Sequence, residues 1–122
     1  MSVSELDRRR EVVGIYRRVS TIIWQRLSPT FGGRTINAIA RNVIARNSKR
    51  HPHISALKVT DNGLEWHELE MVLEQISLRD LRAMLDDFID EFFEALSSLI
   101  GKLVVGKIFK EAEAAARKGG KR

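Results

Sequence analysis

The sequence contains no cysteine, which excludes disulfides, thiolate metal sites, iron–sulfur clusters and thiol catalysis, and suits a reducing compartment. Aromatic residues make up only 7 % of the chain, and they are not interleaved with the basic ones as base stacking in single-strand binders requires. Long apolar runs are also missing. The greasiest stretch, Phe92 to Phe109, is interrupted by Glu94, Ser97, Ser98, Lys102 and Lys107, whereas a membrane-spanning helix needs roughly 20 mostly apolar residues. Met1 to Arg10 is polar and charged with no apolar run behind it, so it does not read as a signal peptide. The expected location is the cytoplasm. Nucleophile elbow, phosphate loop, dinucleotide fingerprint and zinc motif are all absent, and Gly32-Gly33 and Gly119-Gly120 lack the flanking residues a phosphate loop needs. Neither an enzyme nor a cofactor is expected.

What is present describes a helical protein. The 122 residues suit one domain, and 43 % hydrophobic with 30 % charged residues is ordinary for a chain that folds. Val12, Val13, Tyr16, Val19, Ile23 and Leu27 recur at spacings of three and four, which predicts a helix from about Glu5 to Leu27. Ser28-Pro29 then reads as a stop and restart, or Gly32-Gly33 extends the loop. A second helix to about Ser48 carries Ile36, Ile39, Ala40, Val43 and Ile44, and ends before Pro52. His53 to Thr60 reads as an extended linker or a single strand, Asp61-Asn62-Gly63 as a turn, and Leu64 to Gln75 as a short amphipathic helix.

Ser77 and Asp80 have the spacing of a capping box, so a further helix starts there. Its apolar stripe, Leu78, Leu81, Leu85, Phe88, Phe92, Leu96, Leu99 and Leu103, continues for more than three heptads. Gly101 and Gly106 bend or end it, yet the spacing runs on through Val105, Ile108 and Phe109. The expected architecture is an all-α bundle of four to five helices with a long C-terminal helix. Residues 1–117 are read as one domain, and 118–122 as a flexible basic tail.

Charge is strongly segregated under a net +5: residues 1–60 balance at +9, residues 61–100 at −9 and residues 101–122 at +5. In a small bundle the acidic helices can face the basic ones and choose the packing order. The alternative is an outward patch for phosphates formed by Arg8, Arg9, Arg10, Arg17, Arg18, Arg41, Arg46 and Arg50 with Lys49, in a small basic nucleic-acid-binding protein whose contacts are Arg41, Arg46, Lys49 and Arg50. His67 with Glu70, and the i+4 runs Asp86, Asp90, Glu94 and Asp87, Glu91, have the minimum spacing for a cation or for acid–base work, although such runs are usually a solvated or arginine-facing helix side.

The apolar surface from Phe92 to Val105 exceeds what three short helices can cover, and surplus of that kind marks a protein interface. The expected contact is a homodimer through Phe92, Leu96, Leu99, Ile100 and Leu103, with Gly101 allowing close backbone approach. Phe31-Gly32, His51-Pro52, the Asp61 to Trp66 turn and the closing phenylalanine-rich helix with Leu99-Ile100-Gly101 together resemble small helical modules that accompany prokaryotic sensory and signalling proteins. The resemblance covers roughly residues 28–110. It implies a regulatory or scaffolding role without a cofactor and carries no catalytic residues over; the partners expected are a second copy and another protein.

Overall fold

Helix α1 spans Val3–Phe31 and α2 spans Gly33–Asn47 in the computed structural model, which describes residues 3–119. The buried side of α1 carries Val12, Val13, Val19, Ile23, Trp24 and Leu27, at the three-and-four spacing that turns one helix face inward. α1 does not stop at Ser28-Pro29. A proline in the last turn forfeits only one intrahelical bond, and the Gly32 N–H still closes onto the Ser28 carbonyl at 2.8 Å. The break comes at Gly32, where φ is +86°, a conformation open to glycine. Phe31 is therefore the last residue of α1.

The connection from α2 to the next long helix differs most from the sequence reading. A 3-10 turn at Pro52–Ala56 leads into an antiparallel hairpin of β1 (Lys58–Thr60) and β2 (Gly63–Glu65), with Val59 opposite Leu64. Leu64 thus belongs to a strand. The helix expected over Leu64 to Gln75 shortens to α3 (His67–Met71) and a 3-10 turn at Leu73–Gln75. Trp66, Leu69, Leu73 and Ile76 are buried all the same. Burial, not helix continuity, is what their apolar spacing encodes.

Helix α4 (Leu78–Ile100) starts at the expected cap, where the Asp80 N–H donates to the Ser77 hydroxyl at 3.0 Å. It buries Leu81, Met84, Leu85, Phe88, Phe92 and Leu96. Gly101, with φ +119°, ends it outright, and α5 (Lys102–Gly119) folds back along it. Phe93 meets Phe109 edge-on at 5.3 Å across the resulting hairpin. The expected tail begins as helix, since α5 runs through Lys118 and Gly119, and 120–122 lie outside the described residues.

Pairwise contacts set the helix directions. Trp24 stacks on Phe92 at 5.1 Å and Tyr16 bonds Asp86, so α1 runs parallel to α4. Arg18 reaches the Ala116 carbonyl while Arg26 pairs with Glu111, so α5 is antiparallel to α1. Arg46 and His51 of the α2 side meet Glu91 and Asp87, which makes α2 antiparallel to α4. The result is an up-down-up-down four-helix bundle, with the hairpin packed against α1 and α2, and α3 against the two 3-10 turns. Its centre is aromatic: Phe92 is fully buried between Trp24, Phe88 and Phe109. Among the described residues, no helix is long and apolar enough to cross a membrane.

Candidate protein interface

The Gly101 break decides which apolar side chains remain outside. Leu103 is 92 % exposed, Leu99 58 % and Val104 52 %, and Ile100 is half-buried beside them. These four surround a one-residue turn at the end of the bundle. Phe92 and Leu96, expected at the same interface, are fully buried on the bundle side of α4. That part of the expected contact set is corrected: the two residues fill this chain's own core, because the inward face of α4 includes them and not Leu99.

From that apex a shallow groove of about 670 Å³ runs between α4 and α5, lined by Ile89, Phe93, Leu103, Gly106 and Phe109 and edged by Lys102, Lys107 and Lys110. Gly106 leaves the edge of Phe93 uncovered, since a Cβ there would stand 3.9 Å from that ring. Asp90 and Glu113 line the end remote from the turn. Burial, followed by the neighbouring Asp86, Asp87 and Glu94 carboxylates, pushes the Asp90 carboxyl above the usual carboxylate range. Asp86 itself accepts a hydrogen bond from the Tyr16 hydroxyl. Burial, and then this bond, raise the phenol beyond its ordinary value. Tyr16 and Asp86 border a second cleft of about 310 Å³, between α1, α4 and α5, with Val12, Ile15, Val19 and Ile89 as its apolar part.

The phosphate set read from the sequence is not assembled as a free cluster. Glu91 holds Arg46 at 3.6 Å and Arg50 at 2.5 Å, leaving Arg41 and Lys49 exposed and without an ion pair among the described residues. The segregated charges meet across helix seams instead: Arg17 pairs with Glu70 at 2.7 Å, Arg26 with Glu111 at 2.8 Å, and His51 Nε2 lies 2.7 Å from Asp87. Glu70 is therefore engaged by α1, while His67 is exposed. Among the described residues, no group of three His, Asp or Glu side chains is placed to hold a metal ion.

The sequence separates the acids of α4 into two i+4 runs without showing which run is paired. Asp87 and Glu91 are taken up by the α2 side, whereas Asp90 and Glu94, on the adjoining strip, have no ion pair among the described residues. The signal was available in the helical repeat, because about 100° separates successive residues. The direction of α2 was needed to use it. In comparison with known proteins, no family model, no curated protein and no solved structure matches the chain.

Proposed function

We propose that this chain is a non-catalytic helical adaptor, acting in cytoplasmic signalling through protein–protein contact at the α4–α5 face, where it also self-associates. The observation that carries the reading is Leu103, 92 % exposed beside Leu99 and Val104 and continuous with the Phe93–Phe109 groove. Single exposed leucines are ordinary. A contiguous apolar surface rimmed by polar groups is what interfaces bury. Light-scattering mass of the purified chain at low and high salt tests this. A dimer that persists in high salt, and becomes a monomer of unchanged melting temperature on Leu103→Glu, is expected; a Leu103→Glu variant that keeps the dimer mass would sink the reading.

Of the four contacts around the end of α2, the nucleic-acid alternative retains only Arg41 and Lys49 unpaired among the described residues. Neutralising about two phosphates supplies little salt-sensitive affinity. Duplex DNA added to the same measurement is expected to leave the mass unchanged.

A further inference from the structure

The groove is not flanked by the same charge on its two sides. On α4 the outward strip is acidic, with Asp86, Asp90 and Glu94 one turn apart; on α5 the edge is basic, with Lys102, Lys107 and Lys110. Asp90, Glu94 and the three lysines make no ion pair among the described residues, unlike the Asp87 and Glu91 carboxylates that α2 engages. Burial first, and the crowding of Asp86, Asp87 and Glu94 after it, raise the Asp90 carboxyl on that strip.

We infer that the occupant of this face is a second copy of the same chain, docked about a two-fold axis that runs along the groove, so that α4 of each copy lies over α5 of the other. This inference rests on the reading of the face as an interface. A surface that is acidic on one side, apolar in the middle and basic on the other is complementary to itself under that rotation, which exchanges the two sides and keeps every residue at its own height. Heights follow from the hairpin. Phe93 packs against Phe109 and Asp90 lines the groove with Glu113, so Glu94 lies level with Lys107 and Lys110. The rotation then sets Glu94 against Lys107 and Lys110 of the partner subunit, while Asp90, level with Glu113, gains no lysine. Between the two charged rails, Ile89, Phe93 and Leu103 close on their symmetry mates, and Gly106 permits the approach. Arg82 and Glu113, which have the opposite sign to their rails, lie at the end remote from Gly101. The matched charges are those nearest the turn.

Other occupants fit less well. An acidic amphipathic helix or an anionic membrane would satisfy the lysines but set Asp90 and Glu94 against like charge, and a basic helix would do the reverse. Only a partner with both signs in register answers both rails.

The experiment is a charge exchange on the full chain at low ionic strength. One variant carries Glu94→Lys, the other Lys107→Glu and Lys110→Glu, all at exposed positions. Each variant alone is expected to dimerise about a hundredfold more weakly than the unaltered chain, because like charges then face each other. An equimolar mixture is expected to restore a 1:1 dimer by light scattering. Loss of folding, detected by circular dichroism, directs the same exchange to the milder pair Glu94→Lys and Lys110→Glu. If the unaltered chain dimerises but the variants dimerise equally well, or their mixture does not pair, this inference is overturned while the interface reading stands. An unaltered chain that remains monomeric overturns both.

Discussion

The indole Nε1–H of Trp24 donates to Asn37 Oδ1 at 2.7 Å, and Asn37 Nδ2–H donates onward to the Thr60 carbonyl at 2.9 Å. Trp24 and Asn37 are both buried. One side chain thereby joins α1, α2 and the hairpin. It does so beside the aromatic stack, because Trp24 also lies against Phe92. Asn37→Ala removes both bonds and strands a buried N–H and a carbonyl. The expected destabilisation is about 2–3 kcal/mol, read from the urea midpoint at unchanged slope. A change within a few tenths would show that water replaces the amide.

Gly101 is a second site where a small change acts through the backbone alone. Its φ of +119° disfavours any L side chain, yet nothing lies within 4 Å of where a Cβ would stand. Gly101→Ala is expected to lower stability by about 1–3 kcal/mol through conformational strain. Thermal melting measures it. An unaltered melting temperature would mean that the turn between α4 and α5 accepts another geometry.

Asp90 makes stability depend on pH. Its raised folded-state pKa means that the folded chain binds this proton more tightly than the unfolded one. The stabilisation is complete below the ordinary carboxylate pKa and is lost as pH rises through the folded value. Asp90→Asn is expected to match the parent chain in acid and to exceed it near neutrality. Melting curves across pH, at concentrations too low for self-association, decide this; an equal gain at every pH would place the cause elsewhere.

Glu91 holds two arginines but remains 28 % exposed. Exposed pairs contribute typically below about 1 kcal/mol and are screened by salt. Glu91→Gln is accordingly expected to cost less than that at low salt and almost nothing at high salt, by urea unfolding. A loss of several kcal/mol, independent of salt, would show instead that Arg46 and Arg50 depend on Glu91 for more than a surface contact.

Most of the helical framework could be read from particular residues. Val12, Val19, Ile23 and Leu27 mark the inner face of α1, Ile36, Ala40 and Val43 that of α2, and Ser77 with Asp80 the start of α4. The hairpin could not, since two three-residue strands are too short to show an alternating pattern, and Leu64 suits either periodicity. Of the expected interface residues, Leu99 and Leu103 lie at the surface with Ile100 at its edge, while Phe92 and Leu96 do not. Their hydrophobicity is alike. Only their angular position relative to three neighbouring helices distinguishes them.

The sequence by itself determined the long helical segments and how charge is distributed along them, because propensity, capping and periodicity act within a few residues. Tertiary structure decided what Gly101 does. A glycine costs a helix about 1 kcal/mol, compatible with a bend as readily as a break. The antiparallel return of α5 buries Val105, Ile108, Phe109, Ala112 and Ala116, gains that a straight helix would have forgone. It also decided which carboxylates find an arginine: Asp87 and Glu91 do, Asp90 and Glu94 do not. The two i+4 runs that hold these four acids are alike in composition. The place of α2 beside α4 is a long-range property, and it alone separates them.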